Sequence, residues 1–182
     1  MYRSNYMTSY GAGSVYATEQ GVVKVEIPDL SCSEPACHGV LPGLEPSELT
    51  VHVAELLQRY FSGERIDFVD VPVILDALPP FCHRVLDVVR NISYGEICSY
   101  GQIASLCGSP RAARAVGGAL AVNPIPIIIP CHRVIASDGR LTGFSAPGGK
   151  NTKMLLLKME RVEFKGLLAD KKQLLMHRMP LR

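Results

Sequence analysis

At 182 residues, 47% of them hydrophobic and 20% charged, the chain has the size and composition of an ordinary folded soluble protein, in one large domain or two small ones. Met1–Tyr6 has no continuous apolar core and no apolar stretch approaches the roughly 20 residues needed to span a bilayer, so neither a signal peptide nor a membrane span is expected; a cytoplasmic location, nuclear in a eukaryote, is. The net charge of +2 hides a division, since residues 1–81 carry 4 Lys/Arg against 11 Asp/Glu and residues 82–182 carry 15 against 6; a polyanion partner is expected for the second half only, with a plain solvated basic surface as the alternative.

In chain order, Val15–Thr18 and Gly21–Ile27 read as the arms of a β-hairpin turning near Glu19-Gln20-Gly21. Residues 29–45, rich in Pro, Gly, Ser and Cys, read as loop. Within them Cys32, Cys37 and His38 form a C-x4-C-H cluster that could hold zinc with a fourth ligand such as His52 or His83. Tight zinc sites show closer paired spacing, so an irregular loop is the stronger reading and no metal is expected. The irregular spacing of all six cysteines argues for reduced thiols, with Cys98 and Cys107 most simply core residues. Pro46-Ser47-Glu48 opens a helix with apolar positions Leu49, Val53, Leu56, Leu57 and Tyr60, ended by Gly63. Asp67–Pro80, with three prolines, reads as an extended linker, and Val85, Leu86, Val88 and Val89 mark a second helix stopping near Ser93-Tyr94-Gly95. The expected division is therefore a first domain over 1–66, a linker over 67–80 and a second domain over 81–182.

Ser99–Asn123 reads as a helix-turn-helix. Ser99 caps a short helix, Tyr100–Leu106; Gly108-Ser109 supplies the turn; and Pro110 suits the first position of a second helix running from Arg111 to Val122. That helix is crowded with Ala112, Ala113, Ala115, Gly117, Gly118, Ala119 and Ala121. Two adjacent glycines cost about 1 kcal/mol each inside a helix, so a close approach is expected, by a protein element or a nucleic-acid groove. Next, the apolar run Pro126–Ile129 delivers Cys131 behind Pro130, with His132 and Arg133 directly after it. Two groups able to favour a thiolate thus stand beside a stiffly mounted sulfur, although a buried structural cysteine fits the hexapeptide equally well.

Tyr100, Arg111–Ala119, Asn123-Pro124 and Pro130-Cys131-His132-Arg133-Val134 together resemble the O6-alkylguanine-DNA alkyltransferases, the methylated-DNA–protein-cysteine methyltransferases. The likeness runs from about Phe81 to Glu160 and is most specific at Pro-Cys-His-Arg. It implies an N-terminal α/β, ribonuclease-H-like domain and a mainly α, winged-helix-like C-terminal domain. It also implies a monomer acting on double-stranded DNA that contains alkylated guanine, with O4-alkylthymine a further candidate, and needing no cofactor. By position, Cys131 resembles the one-use alkyl acceptor, His132 the base acting through a water, and Glu160 the carboxylate that orients it. Tyr100 resembles the acid toward the departing guanine, and Arg114 the finger that fills the stack when the base flips out.

Arg111, Ala112, Ala113, Ala115, Gly117 and Gly118 are implied on the minor-groove surface; Arg111 and Arg114, three apart, fit a phosphate-binding stripe equally well. Val134, Phe144, Ser145, Asn123 and Lys153 are implied at the substrate pocket, Asn123 also as a hinge, and Arg133 as a structural arginine. From the residues alone, Tyr100 reads equally as a packed ring, Glu160 as an exposed charge ending the helix Thr152–Met159, and Gly143–Gly149 as a glycine-rich surface loop. Two features depart from the family pattern. Phe144 stands where many members have tyrosine, and the Ser145-Ala146-Pro147-Gly148 loop is about two residues longer than in compact members. Competing classes are a binder of alkylated DNA without transfer, disfavoured by Cys131; a regulator, disfavoured by the lack of a visible activator domain; and a cysteine hydrolase, disfavoured by the lack of a recognisable oxyanion hole.

Overall fold

A computed structural model describes residues 1–30, 44–166 and 168–170; the Cys32, Cys37 and His38 cluster and the tail from 171 to 182 lie outside the described residues. The N-terminal part is a three-stranded antiparallel sheet of β1 (Tyr2–Thr8), β2 (Gly11–Ala17) and β3 (Val22–Glu26) in the order β1-β2-β3, covered by helix α1 (Glu48–Phe61). The expected hairpin is β2–β3. Strand β1 has no counterpart in the sequence reading, because its residues Tyr2-Arg3-Ser4-Asn5-Tyr6-Met7-Thr8 do not alternate apolar with polar. Its buried positions are Arg3 and Tyr6, which point to opposite faces of the strand. Arg3 donates to Ser14 Oγ at 3.0 Å, and Tyr6 reaches across the sheet to donate to the Glu26 carbonyl at 2.9 Å. Position 13 must be glycine for this, since a Cβ there would overlap both the Tyr6 ring and the Glu26 carbonyl.

Helix α1 starts in a reciprocal capping box: Ser47 Oγ accepts from the Thr50 amide, and the Ser47 amide donates to Thr50 Oγ1. Val53, Leu57, Tyr60 and Phe61 form its buried stripe at helical spacing, and Gly63, at φ 94°, follows its last turn. The stretch from 67 to 80 is extended and buries Phe68, Val71 and Leu75. It also pairs with the outer edge of β3, where the Val22 amide donates to Pro72 and the Val22 carbonyl accepts from Ile74. Farther along the same edge the Val25 amide donates to the Pro124 carbonyl at 2.9 Å, tying the sheet to the loop that precedes Cys131.

The C-terminal part is helical, with α2 (Pro80–Arg90), α3 (Tyr100–Leu106), α4 (Ala113–Ala121) and α5 (Lys150–Met159). A short parallel pair, β4 (Cys98–Ser99) with β5 (Val134–Ile135), leads into α3; β6 (Phe164–Lys165) and β7 (Leu168–Ala169) close the described chain. The helix pair differs from expectation at its second start. Pro110 and Arg111 belong to the turn, Ala112 caps α4 without a side-chain bond, and α4 begins at Ala113. Arg111 therefore does not share a helical face with Arg114. Of the two cysteines expected in the core, Cys98 is buried on β4, while Cys107 is half-buried at the end of α3. One continuous apolar cluster runs from Tyr6 and Val15 through Tyr60 and Leu86 to Cys131 and Leu156. Among the described residues no helix is long and apolar enough to cross a membrane.

Ser99 caps α3 through a second box, its Oγ accepting from the Gln102 amide while Gln102 Oε1 accepts from the Ser99 amide at 2.7 Å. Ser99→Ala should lower unfolding free energy by about 1 kcal/mol, read by urea denaturation; an unchanged midpoint would show that β4 pairing alone holds this helix start.

Candidate active site

The segment that carries Cys131 is held under local strain. Ile125, Ile127, Ile128 and Ile129 are buried, and Ile127 sits at φ 73°, a left-handed conformation that a β-branched residue adopts at a cost of about 1–3 kcal/mol. Asn123 clasps the loop: its Oδ1 accepts from the Ile125 amide at 3.1 Å, and its Nδ2 donates to the Ile129 carbonyl at 2.9 Å and to Cys131 Sγ at 3.2 Å. After Pro130 the chain turns into one 3-10 turn, Cys131–Arg133, which sends His132 and Arg133 to Glu160 and leaves Cys131 on the cavity.

Cys131 opens onto a cavity of about 720 Å³ whose wall includes Tyr100, Ala113, Arg114, Gly117, Thr142, Phe144 and Ser145. Burial pushes the thiol pKa up, and the Asn123 amide and the Lys153 charge only partly offset it. His132 and Arg133, read from the sequence as groups able to favour a thiolate, do not place their side chains on the sulfur. Both neighbours turn away from the sulfur, toward Glu160.

Glu160, at the end of α5, is buried and anionic. Its Oε1 accepts from His132 Nε2 at 2.8 Å, Tyr60 Oη at 2.7 Å and Arg133 Nη2 at 2.9 Å; its Oε2 accepts from Arg133 Nε at 2.8 Å and the Gly95 amide at 3.4 Å. Burial alone would raise this carboxyl pKa, but His132 and Arg133 outweigh it and hold the group well below the usual carboxylate range. Gly95 is at φ 78° with its α-carbon face against the Glu160 carbonyl, a conformation and a closeness that suit glycine. For His132, burial pushes the pKa down more than Glu160 raises it, so the ring is neutral at rest. With Nε2–H directed at Glu160, Nδ1 carries the lone pair, and this buried atom has no hydrogen-bond partner among the described residues. The site can therefore accept a proton at Nδ1 and spread the resulting charge onto Glu160.

The remaining expected residues fall into three places. On the wall, Tyr100 Oη accepts from Thr142 Oγ1 at 2.7 Å, and Phe144 and Ser145 face the same cavity. Behind it, Val134 is fully enclosed on β5 and Lys153 fully enclosed on α5, Lys153 Nζ donating to the Val134 carbonyl at 2.6 Å and lying 5.8 Å from the Tyr100 ring centre. Burial lowers the Lys153 pKa to about 8, Cys131 opposing. At the mouth, α4 presents Arg114, Ala115 and Gly118 exposed, with Ala112, Ala113 and Gly117 half-buried. A Cβ built on Gly117 would meet the Tyr100 ring at ordinary contact distance, and among the described residues nothing comes within 4 Å of a Cβ built on Gly118. No element among the described residues therefore accounts for the exposed glycine. Arg111 is exposed in the preceding turn and is not part of the cavity wall.

Tyr60 and Thr142 escaped the sequence reading as site residues. Tyr60 was legible only as one position of an apolar stripe, and nothing local signals a partner 100 residues away. Among the described residues no group of three or more His, Cys, Asp and Glu side chains is placed to hold a metal ion. His52 is exposed on α1, and His83 pairs with Asp87 at 2.8 Å.

Residues 80–162 match the family model described as 6-O-methylguanine DNA methyltransferase, DNA binding domain. The chain is 42% identical over 107 residues to a methylated-DNA–protein-cysteine methyltransferase of Haemophilus influenzae, a match covering 59% of this chain and 58% of that protein, less than two thirds of its length. It is 38% identical over 141 residues to one from Methanosarcina acetivorans, covering 78% of this chain and 80% of that one. The fold resembles Mycobacterium tuberculosis OGT, solved in complex with DNA, with a TM-score of 0.72 and 34% identity over 88% of this chain and 93% of that one.

Glu160→Gln should cost about 3–5 kcal/mol by leaving the Arg133 guanidinium buried without its anion. The depressed Glu160 pKa contributes stability that is complete above the unfolded carboxylate value, about 4.3, and is lost as pH falls toward the folded one. Urea midpoints taken from neutral to acid pH should fall more steeply for the wild type than for Glu160→Gln; parallel curves would refute the assignment.

Proposed function

Because the chain belongs to the methylated-DNA–protein-cysteine methyltransferase family, we propose that it repairs double-stranded DNA by transferring a methyl or larger alkyl group from guanine O6, with O4-alkylthymine a second candidate substrate, to Cys131 after minor-groove binding and base flipping. The observation that carries this reading is the Cys131 thiol in the wall of a cavity that opens beside Arg114 and the small-residue face of α4, with the buried His132–Glu160 pair behind it.

In the proposed reaction the Cys131 proton passes through a water to His132 Nδ1, and Glu160 stabilises the imidazolium. Sγ then attacks the alkyl carbon as its bond to O6 breaks, and the bonding pair leaves with guanine. Tyr100 protonates the departing base; its hydroxyl accepts from Thr142, which leaves its own proton free to point into the cavity. The products are a thioether on Cys131 and an unmodified guanine, so each molecule reacts once. No cofactor and no metal take part in this scheme, and zinc at Cys32, Cys37 and His38 has no role in it.

The target atom cannot be reached inside the duplex, so the base must be turned out. Arg114, exposed at the cavity mouth, is suited to take its place in the stack, with Arg111 nearby for a phosphate. The face of Ala112, Ala113, Ala115, Gly117 and Gly118 admits a minor-groove wall closely and reads little sequence, which suits a damage scanner. Phe144 stacks on the flipped base without donating a bond, and Ser145 completes the pocket. Val134 and Lys153 support it from behind, and Asn123 links α4 to the nucleophile. We assign the β-rich part to a ribonuclease-H-like α/β domain over 1–66, joined by 67–80 to a winged-helix-like domain over 81–182, in a cytoplasmic or nuclear monomer.

Incubation with a duplex bearing O6-methylguanine should add one methyl mass to the Cys131 peptide, stoichiometrically and once; tight binding with no mass shift would sink the transfer reading. Arg114→Ala should slow repair of the duplex about tenfold or more, by the usual cost of a lost charged contact, while leaving reaction with free O6-benzylguanine near wild type. Equal losses on both substrates would refute the finger role.

A further inference from the structure

One side chain outside the expected set touches the proton relay directly. Tyr60 lies in the last turn of α1, with its fully buried ring edge-on to Phe61, Phe68 and Tyr94. Its hydroxyl donates to Glu160 Oε1 at 2.7 Å, and that same oxygen accepts from His132 Nε2 and Arg133 Nη2. The 3.5 Å between Tyr60 Oη and His132 Nε2 is the spacing of two donors converging on one acceptor, with no proton left to bond them to each other. Burial, then the Glu160 charge, push the phenol pKa well above 10 with Arg133 opposing, so Tyr60 keeps its proton and stays a donor.

We propose that Tyr60 is a positioning residue of the alkyl transfer: its hydroxyl draws carboxylate charge on Glu160 away from His132, and so sets how readily Nδ1 takes the Cys131 proton. This rests on the transfer reading above and deepens it, because the tuning group comes from the N-terminal part of the chain. The titratable and charged groups facing the His132–Glu160 pair are Tyr60 from α1, Tyr94 from the turn after α2, Arg133 from the 3-10 turn and Lys153 from α5. Tyr94 Oη donates instead to the Met159 carbonyl at 2.9 Å, and Lys153 Nζ to Val134. Arg133 divides its donors between Glu160 and the Ile92 carbonyl. Among these side chains only Tyr60 shares Oε1 with both His132 and Arg133 while carrying no charge, so it can be altered without changing the charge count of the site.

The direction follows from the bond. Without the phenol, Oε1 turns more of its charge toward His132 Nε2–H and the imidazole becomes more basic. Its protonated form, which cannot accept from the thiol, then persists to higher pH, and the acid limb of the rate profile moves up. A stronger donor moves it down.

The test is single-turnover methyl transfer from an O6-methylguanine duplex across about pH 5 to 9. It compares the full wild-type chain, Tyr60→Phe, and the chain carrying 3-fluorotyrosine at position 60, which has nearly the same shape and a more acidic hydroxyl. Tyr60→Phe should react about tenfold more slowly near the acid limb, the usual size of one hydrogen bond to a charged group, and its limb should shift to higher pH. The fluorinated protein should shift to lower pH. Superimposable limbs, or two shifts in the same direction, would overturn the proposal, since a purely packing role changes rate or stability without moving the limb. If Tyr60→Phe does not fold, the direction of the fluorinated protein decides alone. A wild type that adds no methyl to Cys131 defeats the transfer reading itself; carbamidomethylation of Cys131 by iodoacetamide over the same pH range then still shows whether Tyr60 governs the relay.

Discussion

The site is organised by one buried anion. Glu160 brings a carboxylate into the interior, where an unpaired charge would cost several kcal/mol, and it is tolerated because five donor groups from three other segments converge on its oxygens. Helix α1 sends Tyr60, the turn after α2 sends an amide, and the 3-10 turn sends His132 and Arg133. The guanidinium that neutralises the anion also lies 5.9 Å from the Tyr94 ring centre. Removing any one segment leaves a charged group short of partners, so the cluster that shapes the chemistry also clamps the two parts of the chain.

Cys131 lies beside that clamp and His132 within it, and burial keeps both uncharged at rest. On the proposed alkyl-transfer reading this restraint matters, since a thiolate standing ready in the cavity would react with any electrophile and a residue spent in a single reaction cannot be recovered. Burial holds Cys131 as a thiol and His132 as a neutral ring. The strained Ile127 backbone and the Asn123 clasp serve the same end by keeping the sulfur at a fixed place on the wall.

Features governed by neighbours in sequence were the most legible. Both capped helix starts, at Ser47 and Ser99, depend on side chains three residues apart, and the buried run before Cys131 follows from its composition. Strand β1 was not legible, because it buries an arginine that donates to Ser14 on the next strand, a pairing that hydrophobic alternation cannot signal. The start of α4 was misplaced by two residues because Pro110 fits a turn as well as a first helical position. Glu160 was readable only through the family likeness; on spacing alone it is a charged residue at a helix end. Tyr60 was placed on the correct face of its helix, but its role depends on an oxygen that only the folded chain brings near.

The outer edge of β3 has a consequence for what happens when the protein fails. A sheet edge with free amides and carbonyls is a template for pairing with other chains. Here that edge is occupied by Pro72 and Ile74 at one end and by Pro124 at the other. The strip of chain that mounts the nucleophile is therefore also a guard on the sheet. A 124–131 loop that came loose would give up the mount of Cys131 and bare part of this strand edge in the same event, so displacement of the thiol and exposure of a pairing template are one structural change.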